Sequence, residues 1–497
     1  MNYRLTYDFG SGSVKAALVD DTYHLAGVEN APYPTYFPEN GWAEQKPAEQ
    51  WDAMCRATRA LLSRTGVSPH AVTGIALSHT ATTVIFTDAN GEPITDCVMW
   101  MDGRAALEAE ALNAKLGEAR YTGKNVIAKL AWFLKHKPET VEKARYMLDV
   151  AACLLHKMTG RFVYEFTGAR ATCLVDLETR RWDPKQFDLI GFPKRLVPET
   201  IIGSTERAGD LTARAAEALG LVPGLPVFGG CSDHATAILG TACTAPGDAH
   251  LYIGTSAWLA VVTDARDPNP GRMPSPVPGM RYHFYDTDSG GACLDLLAAL
   301  FYPDAAGDVF GQIDRDILAL QRMDDAEDIL FLPFLAGASA PLNDLNVRAG
   351  LLNLKRSTGK AQIARAVMEG VCFNLRWMCE IHARQTGKPV RALRGIGGGM
   401  CSPVFVQMLA DVLGVPVTPM ADPRFAGNIG LALCIDLGLG RYRDFSALRA
   451  IAAPDIGRHP RPETKARYDR LYELYRAAYH ALAPVYERLN GTKENLL

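Results

Sequence analysis

The sequence predicts an α/β protein of two domains, and three observations carry this. Short apolar runs ending in glycine-bearing turns alternate with stretches whose apolar residues recur every three to four positions, as strands interleaved with helices do. A chain of 497 residues exceeds what one hydrophobic core ordinarily serves. A strand, a small-residue turn and a second strand occur at residues 7–18 and again at 251–262, which points to an internal duplication. A Pro/Gly-rich run, 267–279, follows the second copy. The domains are placed at 1–240 and 241–497.

Taken in order, residues 5–9 alternate weakly, break at Gly10-Ser11-Gly12-Ser13 and resume as a strand over 14–19. This reads as a hairpin. No bulky side chain guards its turn, so the backbone N–H groups there can point at an anion. Residues 49–62 place Trp51, Met54, Ala57, Leu61 and Leu62 on one side of a helix. A buried-type strand, 72–77, runs into Ser78-His79-Thr80, and shorter strands follow at 84–86 and 98–100. His79, Trp100 and Asp102 thus each stand just after a strand, where open α/β sheets bind ligands. Taken singly, a histidine after a strand is more often a hydrogen-bonded structural residue, and Trp100 reads also as plain core. Helices are expected at 129–135, 150–158 and 211–219, the last ending at Gly220, and 179–188 reads as a surface turn region.

Residues 225–228 form an apolar run that ends in a Gly pair. Asp233 then sits in a small-residue turn before a helix over 235–240. A carboxylate held there can cap the helix or take a proton from a hydroxyl. Beyond the second hairpin, helices are expected at 290–301, 358–384, 404–413 and 426–437, with strands at 329–335 and 394–396. Gly397-Gly398-Gly399-Met400-Cys401-Ser402 joins the last strand to the helix after it. Glycines at such a turn let a flat or charged ligand lie against the backbone. Over 467–489, Tyr468, Leu471, Tyr472, Tyr475, Tyr479, Leu482, Tyr486 and Leu489 recur with helical spacing, and we read the stripe as packing.

Composition excludes several classes. A formal net charge of −3 and the lack of a basic run leave no electrostatic footprint for nucleic acid. No apolar run is long enough for a bilayer and the start has no signal-peptide core, so no membrane partner is expected. The 11 cysteines form no C-x-x-C pair, which fits a reduced, cytoplasmic chain. No H-E-x-x-H, no G-x-x-x-x-G-K-[ST] and no strand-to-helix G-x-G-x-x-G occurs. Asp8-Phe9-Gly10 spells a protein-kinase triplet, but no H-R-D loop precedes it. Gly337-Ala338-Ser339-Ala340-Pro341 nearly matches a nucleophile elbow, with Pro341 in place of the last glycine, so a serine hydrolase using Ser339 is a distant alternative.

Five segments in this order, namely Asp8–Lys15 with its Gly-Ser turn, Trp100-Met101-Asp102-Gly103-Arg104, Gly229–Asp233, Gly254-Thr255-Ser256 and the run from Gly397 to Val417, resemble the FGGY carbohydrate kinases, most nearly their xylulose kinases. The resemblance implies two ribonuclease-H-like domains of actin/hexokinase type flanking a cleft. It implies ATP-dependent phosphorylation of a small sugar or polyol, foremost a ketopentose such as xylulose. By similarity, Gly10, Ser11, Gly12 and Ser13 with Gly254 and Thr255 would hold the ATP phosphates, and Gly398, Gly399 and Met400 would border the adenosine. Asp8 would help place Mg²⁺. Asp233 would be the base, with Ser78, His79, Trp100, Asp102 and His234 around the sugar. The expected partners are that sugar and a second copy of the chain. Two departures stand out: Cys231-Ser232 replaces a Gly-Gly pair before the base, and Gly337-Ala338-Ser339 lacks the charges of a Gly-Glu-Arg stretch. They leave room for an alternative, a non-catalytic nucleotide-binding sensor of the same fold.

Overall fold

The computed structural model describes residues 1–305, 307–320, 328–338, 342, 344–451 and 456–491. The chain divides into two units. The first comprises Met1–Ala242, Pro274–Pro278 and Gly427–Ile451; the second comprises Cys243–Met273, Gly279–Ala426 and Ala452–Leu497. The return of Gly427–Ile451 to the first unit was not foreseen, since the sequence reading put everything past 241 in one domain.

In the first unit, strands β1 (Tyr3–Phe9), β2 (Ser13–Asp20) and β3 (Leu25–Pro32) run antiparallel in succession. β4 (Val72–His79) lies parallel to β1 on its other side. β5 (Arg207–Asp210) pairs with β6 (Pro226–Phe228), giving the order β5-β6-β4-β1-β2-β3. Two further residues, β7 (Cys231–Ser232), pair with the end of β4. Leu5, Tyr7, Phe9, Ala16 and Leu18 on one face and Thr6, Ala17 and Val19 on the other are fully buried, so the central strands face packed layers on both sides. Helix α1 (Pro47–Thr65) starts with Pro47 at its first position and stops at Gly66, whose φ is +67°. It buries Ala53, Met54, Ala57 and Leu61 at helical spacing.

In the second unit, β8 (Ala249–Ile253), β9 (Ala257–Asp264) and β10 (Met280–Thr287) are again antiparallel in succession. β11 (Leu393–Ile396) lies parallel to β8, and β12 (Val417–Pro419) parallel to β11. The order β10-β9-β8-β11-β12 repeats β3-β2-β1-β4-β6 in sequence and sense. The long helix Lys360–Thr386 and the last helix, Lys465–Asn490, form part of this unit's core. Tyr475 and Tyr479 meet Trp377, the latter edge-on with ring centroids 5.2 Å apart. The aromatic stripe is packing.

Two local expectations need correction. Residues 179–188, read as turn, hold the strand Arg181–Trp182, which pairs with Val175–Asp176, and the start of the helix Pro184–Ile190, where Asp183 caps Lys185 N and Pro184 pre-sets the first turn. Asp233 is itself the first residue of helix α2 (Asp233–Gly240) rather than part of a turn before it.

Candidate active site

The turn after β1 is built to show amides outward. Gly10 O accepts from the Tyr33 hydroxyl at 2.6 Å, and Ser11 O from Gln45 Nε2 at 2.7 Å and Thr35 Oγ1 at 3.1 Å. Gly12 O accepts from Tyr33 N at 3.1 Å. All three carbonyls are therefore tied down, while the Ser11 and Gly12 amides have no acceptor among the described residues. Such a surface carries positive partial charge and suits phosphate. A side chain at Gly12 would meet nothing within 4 Å, so the approach is open. Ser13 begins β2, and the Gly10 amide closes the turn on Ser13 O at 3.0 Å.

Register then gathers the acidic candidates. Asp8 lies opposite Ser78, and Phe9 opposite His79. Cys231 and Ser232 lie opposite Ser78 and His79 on the other side of β4. Asp8 and Asp233 thus flank the end of one strand from its two neighbours. Asp8 Oδ2 accepts from Lys15 Nζ at 3.2 Å, and its other oxygen has no partner among the described residues. Asp233 Oδ1 accepts from the His234 amide at 2.8 Å, with the His234 imidazole 3.9 Å away. Its side chain is 32% exposed, and it stands in the first turn of α2.

The remaining acceptor-side residues are more enclosed. Ser78 and His79 are fully buried. His79 Nδ1 faces Thr80 O at 3.2 Å, and its Nε2 and the Ser78 hydroxyl have no hydrogen-bond partner among the described residues. A side chain at Gly168 would press on the His79 ring and on Asp149. Trp100 donates Nε1–H to Ser11 Oγ at 2.9 Å, which ties the tryptophan to the first turn. Asp102 is fully buried and both oxygens are engaged. Ala43 N reaches Oδ2 at 2.6 Å, Arg104 Nη2 reaches it at 2.7 Å, and Arg104 N and Nε reach Oδ1. The Arg104 guanidinium continues to Glu44 at 2.6 Å and lies 3.8 Å over the Trp42 ring.

The second unit repeats the first turn's device with different clamps. Thr255 O accepts from the Gly290 and Ala292 amides at 3.0 and 2.9 Å, and Gly254 O from the Gly291 amide at 2.7 Å. The Thr255 and Ser256 amides have no acceptor among the described residues. The glycine run lies against the same strand end. A side chain at Gly397, whose φ is +95°, would overlap Ile253 O, and one at Gly399 would stand 2.7 Å from Ile253 Cγ2. Gly398 is open, with nothing within 4 Å. Met400 is buried at 3% exposure, packed under Gly395. Ser402 caps the helix Pro403–Leu413 through Phe405 N and donates to Asp314 at 2.7 Å.

Several contributors went unread in the sequence. Tyr33, Thr35 and Gln45 clamp the first turn from outside any motif. Glu165 and Thr167 support the strand before Asp233: Ser232 N donates to Thr167 Oγ1 at 2.8 Å, 65 residues away in sequence. Glu-x-Thr before a helix is an ordinary capping pattern and gave no hint of this. Ser339, Ala340 and Pro341 of the broken elbow lie outside the described residues. The described residues hold no group of three or more metal-ligand side chains, and none of their helices is long and apolar enough to cross a membrane.

Two units of one strand order, each with an amide-lined turn after its first strand, define the actin/hexokinase-type class of phosphate-transferring folds. The chain belongs to the FGGY family of carbohydrate kinases: the family's N-terminal domain matches residues 3–240 and its C-terminal domain residues 252–434. It is 25% identical to the xylulose kinase of Lactococcus lactis, over 98% of this chain and 99% of that one. It is 29% identical to the glycerol kinase of Thermus brockianus, over 96% and 98%. The crystal structure of ligand-bound xylulose kinase from Lactobacillus acidophilus superposes with a TM-score of 0.87 at 23% identity, over 98% and 100% of the chains. The protein is thus an ATP-dependent phosphotransferase acting on a hydroxyl of a sugar or polyol.

Proposed function

We propose that the chain phosphorylates a ketopentose such as xylulose, with Asp233 as the general base. One observation carries the base assignment. Of the acidic groups near the end of β4, Asp102, Asp149 and Glu165 are buried and Asp8 is paired with Lys15, whereas Asp233 keeps a half-open carboxylate with Oδ1 held by its own helix. In this reading Asp233 takes the proton of the acceptor hydroxyl. That oxygen attacks the γ-phosphorus, the bond from the γ-phosphorus to the β–γ bridging oxygen breaks, and ADP leaves. Phosphoryl transfer asks the protein chiefly for alignment and charge, and a positioned base adds roughly 10²–10⁴ in rate.

The amides of residues 10–13 and of 254–256 are assigned to phosphate oxygens, and Gly398 and Gly399 to the adenosine. Met400 shapes that surface from beneath. Ser78, His79, Trp100 and His234 are assigned to the acceptor, and Asp102 to its wall through the ion pair with Arg104. Mg²⁺ commonly needs only one or two carboxylates besides phosphates and water. The unpartnered oxygen of Asp8 fits that demand, and the ion would neutralise phosphate charge there.

Asp233→Ala tests the reading. ADP release in the presence of acceptor should collapse while ATP still binds in calorimetry; turnover near wild type would refute the base. A panel of D-xylulose, D-ribulose, glycerol and D-gluconate identifies the acceptor. A preference for glycerol or gluconate over both ketopentoses would overturn the ketopentose.

A further inference from the structure

We propose that Glu165 and Thr167 are positioning residues that fix the backbone carrying Asp233; this rests on the reading of Asp233 as the base. Residues 229–232 join β6 to α2, and three of their amides are held from outside the main sheet. Gly229 N donates to Glu206 O at 3.0 Å, Gly230 N to Ser204 O at 3.0 Å, and Ser232 N to Thr167 Oγ1 at 2.8 Å. The last two lead to one carboxylate. Thr167 Oγ1 donates to Glu165 Oε2 at 2.5 Å, and Ser204 Oγ donates to Glu165 Oε1 at 3.1 Å. A closed ring results, running from Glu165 through Thr167 to Ser232, back along the chain to Gly230, and through Ser204 to Glu165.

The ring has a direction. A hydroxyl has one proton, and Thr167 gives it to Glu165, so its lone pairs are turned toward Ser232 N–H. The carboxylate therefore aims the threonine, and the threonine holds the residue next to Asp233. Every member is buried: Glu165 at 1% exposure and Thr167, Ser204 and Ser232 at 4%. Glu165 also caps its own short helix through Thr167 N and Gly168 N. Capping alone does not account for it. A serine or asparagine caps without burying a charge, and no arginine or lysine forms an ion pair with Glu165 among the described residues. What the carboxylate adds is acceptance on both oxygens, which a cap does not need and the ring does.

Thr167→Val keeps the volume and the backbone cap but removes the acceptor for Ser232 N–H. With ATP and the acceptor chosen by the panel, kcat should fall at least tenfold while KM for both substrates stays within about twofold. Thr167→Ser should restore kcat to within about twofold of wild type. Ser204→Ala, which leaves the Ser204 backbone carbonyl in place, should lower kcat in the same pattern and serves if the valine variant does not fold. A folded Thr167→Val or Ser204→Ala enzyme with wild-type kcat, or a loss expressed only in KM, overturns the proposal. Asp233→Ala, assayed beside them, separates the two ideas. Its collapse with a normal Thr167→Val enzyme removes only the strut, whereas a normal Asp233→Ala enzyme removes the base itself.

Discussion

A side chain on Gly230 would run into the carbonyl oxygen of Leu77 on the neighbouring strand, and Gly230 has a φ of +65°. The close approach lets Cys231 and Ser232 pair with Ser78 and His79, which brings Asp233 to the end of β4. Gly230→Ala therefore has to move the segment that carries the carboxylate. A displacement of about 1 Å at a reacting group costs on the order of 10²-fold in rate. We expect kcat to fall by about that factor with ATP affinity retained, measured by steady-state kinetics and nucleotide titration. Unchanged kcat would mean that the base tolerates a shifted strand.

Trp100 bonds to Ser11 in the first turn, so it bears on phosphate binding as well as on the acceptor. Trp100→Phe keeps the ring and deletes that bond. Loss of one hydrogen bond of about 1 kcal/mol corresponds to roughly fivefold. KM for ATP should rise by about this amount; a change confined to the acceptor KM would show that the link to the turn is idle.

Asp102 and Arg104 form a buried pair, with Asp102 fully enclosed. Arg104 also pairs with Glu44, so Asp102→Asn leaves it one of its two carboxylates and should cost less than the about 3–5 kcal/mol of a buried charge left alone. Denaturant stability should thus fall by about 1–3 kcal/mol, with a smaller effect on the acceptor KM. A stable variant with a greatly raised acceptor KM would make Asp102 a direct sugar ligand instead.

Burial pushes the Glu165 carboxyl up to about 7 from an ordinary 4.5, against the pull of Thr167 and His79. The folded chain then holds this proton more tightly than the unfolded chain. Between about 4.5 and 7 the native state is protonated where the unfolded state is not, so stability from this group falls as pH rises through that window. Glu165→Gln removes the titration. Urea unfolding across the window should show the wild type losing up to roughly 3 kcal/mol relative to the glutamine variant. Parallel pH profiles for the two proteins would mean that Glu165 is ionised throughout.

The sheets and longer helices were legible because apolar periodicity and glycine stops encode them directly, as at α1 and at the paired hairpins. The approach to Asp233 and the glycine run were legible because small residues cluster where backbone must approach closely, as Gly230 and Gly397 do, and the first turn because its small residues leave Gly12 open. The supports of these groups were not. Glu165, Thr167, Ser204 and Ser232 meet only through the fold, and Tyr33, Thr35 and Gln45 carry no local mark of the carbonyls they hold. Asp102 stood in a motif that advertised a ligand, while its neighbour two residues on supplies the charge it faces.

The return of Gly427–Ile451 to the first unit bears on how the chain is made. Arg4 of β1 pairs with Asp436 at 2.7 Å, Tyr23 donates to the same carboxylate at 2.5 Å, and Ile435 fills the space above Gly74. Asn428 reaches Thr6 at 3.1 Å. β1 thus waits for residues that lie 422 to 432 positions further along the chain. Until then the buried Arg4 keeps Asp21 but lacks its second carboxylate, and the face over Gly74 stays wet. The first unit is no free-standing module: its folding closes only once Gly427–Ile451 has been made, and a fragment cut at residue 242 should be insoluble without that segment supplied in trans.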